Sequence, residues 1–163
     1  MNLSGDYTLN VLNSQGLYVL KGLGLQRTQT AIEIDRQSLQ TILSSRSAAH
    51  SGIDLGMTVY GTPPLFTARP AAAHFQYAKP FVSPKKESFV LHKAWNSTVA
   101  LAENPFSLLA KLSELAEMGL QYAVIDLCHR KITRRETEEI GRELAGKRYR
   151  RKLSTFNYNG SLL

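Results

Sequence analysis

The stretch "DLGMTVYGTPPLFTARPAAAH", residues 54–74, decides the fold, because the residues after its first eight settle the kind of sheet those eight enter. "DLGMTVYG" reads as a buried, β-prone strand closed by a glycine. Beyond it the chain turns rich in glycine, proline and alanine, with one arginine, Arg69, and one histidine, His74. A strand running into such a loop places the loop at its C-terminal end, where parallel α/β folds gather their chemistry. The stretch therefore reads as a strand leading into the mouth of a site.

Working outward, the same rhythm recurs on both sides. Upstream, "YTLNVLN" reads as a strand and "SQGLYVLKGLG" as a helix with Ser14 as N-cap and Gly24 as its stop. "RTQTAIEI" then reads as a second strand, and Asp35 caps a helix carrying Leu39, Ile42 and Leu43 on one face. Downstream, "SFVLHKAW" and "STVALAE" alternate like two antiparallel strands joined at Asn96, a β-hairpin insertion spanning about residues 80–103. "PFSLLAKLSELAEMG" carries Leu108, Leu109, Leu112, Leu115 and Met118 at helical spacing, with Pro105 in the first turn and Gly119 as the stop. "YAVIDL" reads as a short strand buried on both faces. Thr133 followed by Glu136 reads as a capping box opening a last helix. Four strand–helix units result, at residues 7–24, 27–51, 54–119 and 122–147. Their expected fold class is α/β, half of a (β/α)8 barrel with parallel strands and right-handed crossovers. Residues 1–163 form a single domain in this reading, and residues 147–163 a basic C-terminal tail.

Composition narrows the function. A hydrophobic fraction of 43% and a charged fraction of 20% are those of a globular protein, and no apolar run approaches a membrane span. The start "MNLSGDYTLN" has neither a basic region nor an apolar core of a secretion signal, so the expected compartment is the cytoplasm. Cys128, the single cysteine, forms no internal disulfide and no structural zinc site by itself. No G-x-G-x-x-G joins the first strand and helix, and no phosphate-binding P-loop motif occurs. The net charge of +7 favours a polyanionic partner. Half of the 20 Lys and Arg residues fall in residues 129–152, with Lys147, Arg148, Arg150, Arg151 and Lys152 packed into "KRYRRK". These five are the candidate nucleic-acid-binding residues; the bland alternative is a solvated helix with a basic end that complements its dipole.

The separated pieces "LNVLNSQGLYVLKGLGLQRTQTAIEID", "MTVYGTPPLFTAR", a hairpin and "NPFSLLAKLSELAEMGLQYAVIDL" together resemble, over about residues 6–128, the C-terminal half of the barrel domain in the collagenase-like peptidase family. The resemblance implies a barrel-mouth site whose nominal reaction is peptide hydrolysis. It implies that Glu33 and Asp126 carry protons, that Asn13 and Tyr60 line the substrate, and that Arg69 holds an anionic group; His129, at the same strand end as Asp126, is a further substrate-binding candidate by its position alone. The family's glutamate and two loop cysteines align with Gly56, Pro64 and Ala71. The iron–sulfur ligands of relatives thought to hydroxylate RNA or quinone precursors are therefore absent, and no cofactor or metal site is expected within this chain. The implied partner is an N-terminal half of the barrel, because an isolated half-barrel leaves two strand edges and part of its interior uncovered. A homodimer mate would serve the same end.

Read without the family, the same residues leave alternatives open. Asp126 and His129 form a general acid–base pair, or Asp126 caps a turn and His129 is solvated. Glu33, between Ile32 and Ile34, points the opposite way from them into a barrel mouth, or makes a salt bridge. Trp95, with Phe75, Tyr77, Phe81 and Phe89, is the core of the hairpin, or an exposed platform on which RNA bases stack. Two functions are compatible with these residues: a hydrolytic site completed by a missing half, or a basic RNA-binding module without catalytic cysteines of its own.

Overall fold

The strand read from "DLGMTVYG" is β3 (Asp54–Gly61), and it is buried from Leu55 to its end. In this computed structural model, which describes residues 2–45, 52–69, 73–84, 86–129, 131–146 and 153–160, β3 is the strand on which the first sheet is built. β1 (Leu3–Gly5), β2 (Leu25–Gln29), β3 and β9 (Tyr122–Ile125) lie side by side and parallel, in register at Ser4↔Arg27, Thr28↔Leu55 and Thr58↔Val124. A two-residue strand, β8 (Phe106–Ser107), pairs antiparallel with Tyr60 and Gly61 and makes the sheet mixed. The register of β3 on β9 slips at Val59, a bulge of the kind that re-aims side chains at a strand end.

Three helices are started by side chains that accept from otherwise unpaired backbone N–H groups. Asn13 caps α1 (Ser14–Gly22) by accepting from Gly16 N at 3.0 Å, and Asp35 caps α2 (Arg36–Ser44) by accepting from Ser38 N at 2.9 Å. Thr133 caps α4 (Arg134–Leu144), accepting from Glu136 N at 3.3 Å. α3 (Leu112–Glu117) is short and ends before Gly119, whose φ of +99° belongs to the left-handed region. Leu17, Leu39, Ile42, Leu115 and Ile140 from these helices pack with Leu55, Met57 and Val59 of β3 into one core.

The half-barrel expectation is overturned. Among the described residues the chain has nine strands in two sheets, the mixed one above and a separate antiparallel one of order β4-β7-β6-β5. Instead of crossing through a helix after β3, the chain enters β4 (Pro64–Ala68) almost at once. The strands read as a hairpin, β6 (Ser88–Ala94) and β7 (Ser97–Ala102), are the middle of this sheet, flanked by β4 and by β5 (Pro80–Val82). Both outer strands open on a proline, the position where a sheet tolerates one, so a proline-rich stretch that reads as loop is partly strand.

Two smaller corrections share a cause, which is local turn chemistry. "YTLNVLN" is not a strand: Tyr7–Leu9 is a single 3-10 turn, capped by Asp6 and closed by Asn10 at φ 53°. Only Val11 rejoins the sheet, bridging Thr30. The apolar run after Asn104 is not one helix, because Phe106 and Ser107 pair with β3 and residues 109–111 form a 3-10 turn before α3.

Residues 153–160 lie on the core. Ser107 N donates to Ser154 O and Arg36 N to Tyr158 O, each at 2.9 Å, while Phe156 stacks on Phe106 with ring centroids 5.6 Å apart. Tyr158 is 2% exposed.

Candidate functional site

The strand-end residues of the first sheet come together in part. Tyr60 is buried; its carbonyl accepts from Asp126 N at 2.8 Å and its hydroxyl donates to the Glu136 carboxylate on α4. Gly61 follows at a close approach of backbones, where a Cβ would stand 2.8 Å from Asp126 O, so no larger residue fits without movement. The side chain of Asp126 turns back to accept from Cys128 N at 2.9 Å, which is the turn-capping role. Its carboxylate also accepts a hydrogen bond from the Cys128 thiol and repels the thiolate, pushing that thiol up and away from nucleophilic use. Tyr7, expected from the sequence to lie in a strand, joins this group. Burial pushes its phenol up first, and the charges of Asp126 and Asp6 add to it.

The remaining candidates stand elsewhere. Asn13 is committed to capping α1 and borders an open cleft of about 300 Å³ whose other walls include Gln37, Ser38 and Thr41 of α2. Glu33 sits in the turn after the Thr30 bridge, so the strand alternation that aimed it into a barrel mouth does not apply. Its carbonyl accepts from Asn157 Nδ2 at 2.6 Å, and its side chain is exposed. Arg69 is exposed just past β4, in the antiparallel sheet rather than at the ends of the parallel strands. His129 is half-buried, with no side-chain hydrogen bond to Asp126 among the described residues. Lys147, Arg148, Arg150, Arg151 and Lys152 lie outside the described residues.

Pro64 and Ala71 stand where the resembling family has its loop cysteines, and neither has a side chain that could hold an iron–sulfur cluster. The chain holds one cysteine. Among the described residues no three His, Cys, Asp or Glu side chains gather as a metal site.

The antiparallel sheet presents a second candidate site, which sequence reasoning touched only through Trp95 and its neighbours. Residues directly opposite one another share a face. Phe81 opposes Phe89, Lys93 opposes Thr98 and Phe66 opposes Ala100, so Phe66, Phe81, Phe89 and Lys93 lie on one face. Tyr77 lies over the same face, its hydroxyl 2.8 Å from Thr98 Oγ1, and continues edge-on into Phe75 and His74. Phe66 is 53% exposed, Phe81 43% and Trp95, at the hairpin tip, 96%. Arg69, Lys79, Lys86 and Lys93 are exposed in the same stretch of chain, and Lys93 lies on the face of these rings. Residues 62–104 carry five Lys or Arg and two Glu, so this unit is basic in its own right.

Trp95 is also conformationally out of place. It occupies the two-residue connection between Ala94 and Ser97 at φ 55°, where glycine, asparagine or aspartate is the usual choice. A bulky residue there is uncommon, and such outliers gather at sites of function. Phe66 was missed because its strand is framed by prolines and a glycine, and "LFTA" is short and does not alternate.

No protein-family profile and no curated protein matches this chain. Among the described residues no helix is long and apolar enough to cross a membrane.

Proposed function

We propose that this chain is a basic module that holds single-stranded RNA on its antiparallel sheet, the C-terminal part of a protein of the collagenase-like peptidase type involved in RNA modification. The observation that carries this reading is the set of exposed rings, Phe66, Phe81 and Trp95, in the same stretch of chain as the exposed Arg69, Lys79, Lys86 and Lys93. Cations neutralise the phosphate backbone, and aromatic faces accept bases of any sequence.

The test is titration of a labelled, unstructured RNA oligonucleotide, followed by anisotropy and by the fluorescence of Trp95, the only tryptophan. Affinity is expected to fall steeply with salt. Trp95→Ala is expected to weaken binding by about tenfold or more, the range of one lost base–aromatic stack. Unchanged affinity in a Phe66→Ala, Phe81→Ala, Trp95→Ala chain would sink the proposal.

The hydrolytic reading draws on a different observation, the crowding of Asp126, Asp6 and Tyr7 at the strand ends. Under it Asp126→Asn abolishes turnover and leaves RNA retention intact.

A further inference from the structure

Glu143 is buried without the partners a charge needs. It stands in the last turn of α4, and its Oε2 is buried with no hydrogen-bond partner. An unpaired buried polar atom costs free energy, and more when it is charged. The charged groups on the elements around it are engaged elsewhere. On α4, Arg134 and Arg142 pair with Glu138, Arg135 pairs with Glu139, and Glu136 accepts from Tyr60 of β3. On the 3-10 turn of residues 109–111, which packs against α4, Lys111 pairs with Glu114. Burial pushes the Glu143 carboxyl up, and a hydrogen bond from the Ser107 hydroxyl of β8 pulls it partly back. The negative end of the helix dipole also disfavours an anion there. Ser107 is thus a junction: its hydroxyl reaches Glu143 while its N–H donates to Ser154 O at 2.9 Å. In sequence, the basic run of residues 147–152 lies between these two attachments.

We propose that Glu143 is a proton-operated latch on the C-terminal turn of α4: neutral, its carboxyl rests against β8, and ionised, it turns out to water and loosens that turn. The neutral acid loses far less hydration on burial than the carboxylate does, so the buried seat suits it. The folded chain binds this proton more tightly than the unfolded one. The stability it contributes is therefore present below the ordinary value of 4.5 and is lost as pH rises through the raised value of the folded chain. Opening the latch loosens the turn that leads into the basic run, while the attachment at Ser154 stays. Any effect on RNA through that run rests on the RNA reading above; the latch itself does not.

Carboxyl NMR titration of the full 163-residue chain tests this, with the Glu143 signal assigned by its loss in Glu143→Gln. Glu143 is expected to titrate above 4.5. Ser107→Ala is expected to move that titration further up, because the hydroxyl favours the charged form. Urea melts give the second readout, with Glu143→Gln standing in for the neutral acid. Its midpoint is expected to match the parent's near pH 4.5 and to exceed it increasingly as pH rises and the parent loses its proton. Amide exchange at residues 140–144, corrected for its intrinsic pH dependence, is expected to quicken over the same range in the parent and to stay level in Glu143→Gln. None of these readouts involves RNA, so failure of the latch and failure of RNA binding are told apart. A Glu143 carboxyl that titrates at or below 4.5 would overturn the proposal. So would a Glu143→Gln chain whose midpoint differs from the parent's by the same margin at every pH, or exchange at the helix end that follows pH alike in both chains.

Discussion

Glu114 is the point where three donors converge. The Arg36 guanidinium and the Tyr158 hydroxyl donate to Oε1, the latter at 3.1 Å, and Lys111 Nζ donates to Oε2 at 2.9 Å. Arg36 above all, then Lys111 and Tyr158, hold its carboxyl down at about 2. The folded chain binds this proton more weakly than the unfolded one. The resulting stability is therefore present above the ordinary value of 4.5 and is lost as pH falls toward about 2. Tyr158 mirrors it: burial first, then the Glu114 carboxylate, push its phenol from 10.0 up to about 12. Its contribution is complete below pH 10 and fades as pH rises through about 12. Thermal melts across pH should show both limbs. Glu114→Gln is expected to flatten the acid limb and shrink the alkaline one, because its carboxylate helps raise the Tyr158 phenol, while Tyr158→Phe removes the alkaline limb and leaves most of the acid one, which Arg36 and Lys111 hold. Limbs that persist unchanged in both variants would assign them to other groups.

At the scale of elements, the hairpin tip separates stability from binding. Trp95 at φ 55° is 96% exposed, so its ring adds little packing and its backbone is held in a costly region. A non-glycine residue there costs about 1–2 kcal/mol, which glycine does not incur. Trp95→Gly is therefore expected to leave the melting temperature unchanged or raise it, while RNA affinity drops as far as in Trp95→Ala. Calorimetry and the anisotropy titration on the same preparation decide this, and a clear loss of stability would show that the ring packs after all. The hairpin was legible in the sequence because β6 and β7 alternate strongly around a two-residue turn. β3, α2 with its Asp35 cap and α4 with its Thr133 cap were legible for the same kind of reason, a local signal that tertiary structure does not contradict. β1 was not, since three residues carry no period, and β8 was not, since Phe106 and Ser107 are recruited from a helical pattern by pairing with a distant strand. The four repeated units pointed to a barrel because periodicity reports the type of each strand; the separate sheet depends on which strand pairs with which. Of the candidate site, the approach of Asp126 to Tyr60 and Gly61 was foreshadowed by strand-end position. Glu33 was misplaced because a turn after Thr30 breaks the alternation that its assignment relied on.

For the whole molecule, the segment after the basic run is what closes the structure. From sequence alone residues 153–160 have no role beyond a tail, because their partners are far away in the chain. Ser154 O accepts from Ser107 N beside β8, Tyr158 O accepts from Arg36 N at the start of α2, and Asn157 donates to Glu33 O. Phe156 covers Phe106, and the Tyr158 ring fills the space between α2 and α3 with its hydroxyl on Glu114. The segment thus ties the short antiparallel strand of the mixed sheet to the helices that cover it. Removing it uncovers all of these groups together, and loss of one buried aromatic alone costs about 3–5 kcal/mol against a total stability of about 5–15 kcal/mol. A chain ending at Lys152 keeps every basic residue of "KRYRRK" yet is expected to be marginally folded at best, with most of the urea midpoint lost. Tyr158→Ala in the full-length chain is expected to show a large part of the same loss, and Asn159→Ala, an exposed neighbour, almost none. Should the truncated chain unfold within about 0.5 kcal/mol of the intact one, the segment is an appendage rather than a clasp, since exposed substitutions alone produce effects of that size.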